Sequence, residues 1–230
     1  MSKKVSSFLP CRKGSERVPR KNIKPFAGYP SGLIQVKLGQ LLASEMIDEV
    51  VLSTNDDEIR AYAESLNESR IRIHHREEAL ASSHTSTDQL VSHAFDLIPD
   101  GDILWTHVTS PFITAAGYDA IIRLYREKLQ EGYDSLMTTT ALRSFLWQYG
   151  KPINYDRSVE KWPRTQTLEA VHEVNSGVFL AASDVYRDHN DRIGLKPWLY
   201  DLEKFMSHDI DWPEDFAIAE CMLEKGLVTI

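Results

Sequence analysis

The chain has 230 residues, 42% of them hydrophobic, and carries 26 Lys and Arg against 34 Asp and Glu for a net charge of −8. That content supports a buried core and excludes a disordered chain, while two cysteines, Cys11 and Cys221, exclude a disulfide framework or a zinc cluster. No apolar run reaches membrane-spanning length and no signal-peptide core opens the chain, so the expectation is one soluble, cytoplasmic α/β domain over residues 1–230.

The charge is uneven. Residues 1–25 hold eight Lys and Arg against one Glu, a local +7 that leaves −15 for the remainder. The apolar run Val5 to Leu9 predicts a buried strand that breaks at Pro10 and passes through Gly14 and Ser15 into a basic segment. A basic loop at the end of a first strand, on an acidic protein, points to a small polyanion; long nucleic acid needs a wider basic face. A glycine turn brings backbone N–H groups close to phosphates, and Arg12 and Lys21 supply a planar fork and a mobile point charge. A merely solvated loop ending at Pro19 accounts for the same residues.

Helical spacing follows from Ser31 to Met46, then a short buried strand from Glu49 to Thr54. Asp56 is placed to cap a helix from Glu58 to Leu66, and Arg70 to His74 alternates as a third strand. A helix is predicted from Thr85 to Leu97, a strand from Asp102 to Val108, a helix from Ala116 to Glu131 and a strand from Asp134 to Thr140. Strands alternating with helices predict a doubly wound, mostly parallel sheet, with a ligand crevice beyond the strands' carboxyl ends. Regularity fades between 142 and 171, where Trp147, Tyr149, Tyr155 and Trp162 suit either a partner surface or an insertion packed on its own chain.

Near the end, Phe205 to Asp211 reads as a strand with Asp209 and Asp211 on one face. Two carboxylates so placed repel unless a cation lies between them, and hard oxygen ligands suit Mg²⁺. Asp211 with Glu214 also forms a capping box for a helix from Pro213 to Glu224, so cap and ligand both stand open for it.

Four motifs, in order from Leu9 to Leu223, resemble the acylneuraminate cytidylyltransferases. Leu9-Pro10-Cys11-Arg12-Lys13-Gly14-Ser15, followed by Pro19-Arg20-Lys21-Asn22, is similar to that family's Pro-Ala-Arg-x-Gly-Ser-Lys and Pro-x-Lys-Asn signature. It departs at Glu16, where the family carries a phosphate-binding Lys; Arg17 stands next to it. Arg76-Glu77-Glu78-Ala79-Leu80-Ala81-Ser82-Ser83 is similar to the stretch that contacts cytosine, giving Arg76, Ala81, Ser82 and Ser83. Thr109-Ser110-Pro111 resembles the sugar-pocket loop, with His107 in place of the family's Gln. Arg164, Gln166 and Asn175 match positions on the sugar side, and a bidentate Arg164 suits a substrate carboxylate. Asp209 and Asp211, followed by Pro213-Glu214-Asp215-Phe216, match the paired metal-binding aspartates.

The resemblance implies a nucleotide-diphospho-sugar transferase-like fold with a small dimerisation insertion at about 142–171, and a homodimer. It implies transfer of CMP from CTP to the anomeric hydroxyl of a 2-keto sugar acid, such as sialic, legionaminic or pseudaminic acid, for surface glycan synthesis. Mg²⁺ would sit on Asp209 and Asp211, Arg12 and Lys21 would stabilise phosphate charge, and Asp211 or solvent at the metal would accept the hydroxyl proton. Neither nucleic acid nor membrane enters as a partner. A metal-dependent glycosyltransferase of similar fold and an inactive nucleotide-binding relative are the alternatives.

Overall fold

The computed structural model describes residues 3–82 and 85–230. Strand β1 (Val5–Cys11) lies inside a seven-stranded sheet, with β2 (Glu49–Thr54) and β4 (Asp102–Thr106) parallel on either side and β3 (Ile71–His75) parallel beyond β2. Past β4, β8 (Val171–Ala182) runs antiparallel between β4 and β5 (Ser135–Leu142), and β9 (Pro197–Asp201) ends the sheet parallel to β5. The order is β3-β2-β1-β4-β8-β5-β9, a mostly parallel sheet with one reversed strand inside it. Successive side chains of each strand point to opposite faces, which sorts the core into two layers. Leu9, Leu52 and Leu104 face α1 (Gly32–Ala43), α4 (Ala115–Gln130) and α6 (Pro213–Glu224), also meeting α2 (Asp57–Ser65). Phe8, Val51, Trp105 and Phe179 face α3 (Thr87–Leu97) and α5 (Ser183–His189).

Local signals placed most elements. Asp56 accepts the N–H groups of Glu58 and Ile59, and Ser86 with Gln89 forms a reciprocal capping box for α3. Pro10 lies inside β1 rather than ending it. Pairing with β4 stops at Phe8 while pairing with β2 continues to Cys11, and such a one-sided ladder tolerates a residue without an N–H. Helix α1 stops at Ala43 rather than Met46, because buried Asp119 of α4 takes the Ser44 hydroxyl and the Met46 N–H. No helix among the described residues is long and apolar enough to cross a membrane.

Two regions depart from expectation. Phe205–Asp211 is not a strand: residues 204–207 form a turn and 208–211 an irregular segment tied to the sheet by Ile210 N–H donating to the Thr109 carbonyl, 2.9 Å. Between β5 and β8 the chain forms an arm with a two-residue hairpin, β6 (Trp147–Gln148) and β7 (Lys151–Pro152), turning at Tyr149 and Gly150 with φ of 49° and 75°, the signs a type I′ turn requires. Phe145 packs edge-on against Tyr155 and Trp162, and the Arg157 guanidinium lies against the rings of Trp147 and Trp162. The arm therefore folds on itself, yet still presents Tyr149 and Val159 at 95% and 85% exposure.

Candidate active site

Three segments at the carboxyl ends of β1, β3 and β4 meet around a cleft of about 300 Å³. The end of β1 contributes Pro10 and the loop after it Arg12, Ser15, Glu16, Arg17, Lys21 and Asn22; Arg76 enters after β3, and His107 and Thr109 after β4. The loop is braced from within by Asn22, whose amide donates to the Arg12 carbonyl at 3.2 Å. Gly14 takes φ +81°, a left-handed conformation that suits glycine and frees the turn to approach a ligand. Leu9 is fully buried in the core, so it supports this loop from below and its side chain does not reach the cleft.

The acidic segment closes one side. Lys21 donates to the Ile210 carbonyl at 2.8 Å and pairs with Asp211 Oδ1 at 3.2 Å, and Arg17 reaches the same oxygen at 3.1 Å with its guanidinium 4.9 Å from the Trp212 ring. The basic stretch at the chain's start and the aspartates near its end are thus one constellation. Arg17 supplies a cation beside Glu16, which lines the same cleft. The helix cap falls elsewhere than expected: Asp215, not Glu214, accepts the N–H groups of Asp211 and Trp212 at 3.0 and 2.8 Å. Asp211 is therefore not spent as a cap.

Asp209 is half-buried, and this burial pushes its carboxyl above the usual range against the pull of a Thr109 hydroxyl hydrogen bond; its Oδ1 is buried with no hydrogen-bond donor. An acidic oxygen left so, one residue removed from a second carboxylate, is the donor set Mg²⁺ uses when phosphates and water complete its shell. Among the described residues no cluster of three or more His, Cys, Asp or Glu forms an all-protein metal cage.

The remaining positions divide. Arg76 is buried and spends its guanidinium on the Ser53 hydroxyl and carbonyl, presenting only part of itself to the cleft. Ala81 is buried after a single 3₁₀ turn, Ser82 lies on the surface beside Thr85, and Ser83 lies outside the described residues. His107 accepts the Trp105 indole N–H at 2.9 Å, and burial followed by the Arg192 charge lowers its pKa to about 3, so the ring is neutral with its Nδ1 left as the donor. Ser110 is buried behind the cleft with its carbonyl turned to α1. Asn175 is committed to the sheet, accepting from Thr138 at 2.6 Å and donating to Thr140 at 3.2 Å. Arg164 and Gln166 stand exposed on the arm, away from the cleft-lining residues of their own chain.

Two contributors escaped sequence reasoning. Asn55, after β2, accepts the Lys13 N–H at 2.7 Å and donates to both Glu78 carboxylate oxygens at 3.1 and 3.2 Å, tying the basic loop to the 76–82 segment. A polar residue directly after a buried strand was its only signal. Lys37 lies with no exposure inside α1, among apolar neighbours whose helical spacing hid it.

The sequence model of a family described as cytidylyltransferase matches residues 8–220. A pseudaminic acid cytidylyltransferase of Campylobacter jejuni is 33% identical over 94% of each chain. The N-acylneuraminate cytidylyltransferase of Escherichia coli is 25% identical over 98% of this chain, which spans 53% of that longer protein. Among solved structures, a CMP:2-keto-3-deoxy-manno-octonic acid synthetase complexed with CTP superposes with a TM-score of 0.67 at 15% identity, covering 97% of this chain and 99% of that one. With the family match spanning nearly its whole length, the chain belongs to the cytidylyltransferase family.

Proposed function

We propose that the protein is a nucleotidyltransferase that moves CMP from CTP to the anomeric hydroxyl of a 2-keto sugar acid of the nonulosonate class and releases pyrophosphate. The observation that carries the reading is the meeting of Lys21 and Arg17 with Asp211 at the mouth of the Gly14–Ser15 loop. Cations and carboxylate that pair with each other in the ligand-free protein are the groups a metal-bound triphosphate would draw apart, cations to phosphate and carboxylate to metal. In this scheme the loop N–H groups, Arg12 and Lys21 hold the phosphates in line for attack. The sugar hydroxyl forms the new P–O bond at the α-phosphate as the bond to pyrophosphate breaks. Asp211 is the carboxylate placed to take the hydroxyl proton, and no protein nucleophile is needed. Mg²⁺ would be held by Asp209 and Asp211 and would supply charge neutralisation on the phosphates.

The names of the relatives support the acceptor class, and Trp147, Tyr149 and Trp162 on the exposed arm support a homodimer in which Arg164 and Gln166 face the partner's cleft. Use of CTP as donor is consistent with a cytoplasmic reaction. The test is pyrophosphate release with CTP and Mg²⁺ across sialic, legionaminic, pseudaminic and eight-carbon 2-keto acids, beside UTP and EDTA controls. Release that requires CTP, metal and one acceptor supports the reading, and Asp211→Ala should then lose at least a hundredfold. Release without any acceptor, or none with the whole panel, refutes it.

A further inference from the structure

Lys37 is a costly side chain that the proposed chemistry does not use. It is fully buried, and no carboxylate lies within ion-pair distance of its ammonium among the described residues. A buried ammonium without a partner carries a large desolvation penalty, and a neutral donor or an apolar side chain of the same length would avoid it. What the ammonium touches explains its retention. Nζ donates to the Ser110 carbonyl at 2.8 Å and to the Tyr118 hydroxyl at 2.6 Å, directly beneath the turn that lines the cleft. Thr109, one residue earlier, accepts the Ile210 N–H and gives its hydroxyl to Asp209. One turn along α1, Gln40 donates to the Pro111 carbonyl at 2.6 Å. Helix α1 thus holds the 109–111 turn from behind, and the turn holds the aspartate segment in front. On the far side of that turn, Asp209 keeps a buried Oδ1 that lacks any donor.

We infer that Lys37 is a positioning residue whose buried amine, holding the Thr109–Ser110 turn from behind, fixes the carboxylate of Asp209 for the triphosphate and its metal. The inference rests on the cytidylyl-transfer reading. Gln40 supplies the contrast, because it clamps the same turn at the Pro111 carbonyl, farther from the aspartate segment in sequence.

The test compares Lys37→Met, Lys37→Gln and Gln40→Met in the full chain, each checked for folding by circular dichroism. Both Lys37 variants should fold and lose at least thirtyfold in kcat with KM for CTP within threefold, while Gln40→Met stays within threefold in both constants. Full activity in either Lys37 variant would show that the turn needs no amine beneath it, and an equal loss in Gln40→Met would reduce Lys37 to ordinary packing; either overturns the inference. A second reading needs no turnover. Adding Mg²⁺ to CTP should raise the wild-type Tm beyond the rise from CTP alone, and that increment should vanish in Lys37→Met. An increment equal in both proteins, or absent from wild type, overturns the inference. Absence of pyrophosphate release from wild type alongside a Lys37-dependent increment would instead refute the reaction and leave the positioning role standing.

Discussion

Asn55 offers the sharpest test of how the two halves of the nucleotide cleft are joined. Its side chain is 8% exposed and faces the Lys13 N–H with oxygen and the Glu78 carboxylate with nitrogen. Asn55→Asp changes almost no volume but points a second carboxylate at the first across 3.1 Å. Two unit charges at that separation repel by about 5 kcal/mol at an effective dielectric of about 20. Glu78 is exposed and swings toward water, so a realised cost of about 1–2 kcal/mol is expected. If that strain appears as displacement of the Lys13–Gly14 loop, KM for CTP rises about tenfold at pH 7.5. Asn55→Ala removes the acceptor for Lys13 without adding charge and should cost about 1 kcal/mol. The pH dependence separates them. A like charge raises the pKa of one carboxyl of the pair, so lowering the pH toward 5.5 lets the introduced carboxyl and Glu78 share a proton and restores a hydrogen bond. The defect of Asn55→Asp should then shrink relative to that of Asn55→Ala. Calorimetric CTP titrations at both pH values measure this directly. Wild-type affinity for Asn55→Asp at pH 7.5, or a ratio to Asn55→Ala that does not move with pH, would refute the coupling.

Other expectations follow from single groups. Burial lowers the pKa of Lys37 from 10.5 to about 7, so the unfolded chain binds the proton that the folded chain releases between those values. Stability should rise with pH across that window by about 5 kcal/mol at 1.36 kcal/mol per pH unit, with the full penalty present below pH 7. Urea titrations of wild type and Lys37→Met from pH 6 to 10 should show this slope in the wild type alone. Adding a Cβ at Gly177 would bring it within 2.7 Å of Thr138 Oγ1 and 3.0 Å of Asn175 Oδ1. Gly177→Ala should therefore lose about 1–3 kcal/mol in thermal unfolding, as overpacked sites do. His107, with its pKa lowered to about 3, should contribute no limb to the rate profile between pH 5.5 and 8. His107→Gln should change the height of that profile and leave its shape unaltered.

The strands of the first half were legible because each carries its own apolar run and ends at a residue such as Asp56 whose capping chemistry is local. The second half was not. Strand β8 begins as Val171-His172-Glu173-Val174-Asn175, a mixed stretch held by long-range pairing to β5 rather than by its own pattern, and β9 exists only against β5. The acidic-apolar-acidic run Asp209-Ile210-Asp211 imitated the end of a strand, but the segment has no ladder, and its shape comes from Thr109, Lys21 and Asp215. Motif spacing identified the residues of the basic loop and the aspartate pair. It did not show that Lys21 and Arg17 meet Asp211, since their positions lie about 190 residues apart in the chain.

The reversed strand has a consequence for what this architecture tolerates. Because β8 lies antiparallel beside β5, the chain that leaves the sheet at Leu142 re-enters it at Val171, directly opposite. The arm is therefore a loop whose two ends are already fastened to each other. Lengthening such a loop costs only about 0.6 kcal/mol per doubling, and none of its residues supports the basic loop after β1. Insertions, deletions and wholesale replacement between those two anchor residues can redraw the outer face of the molecule while the phosphate-gripping end keeps its geometry.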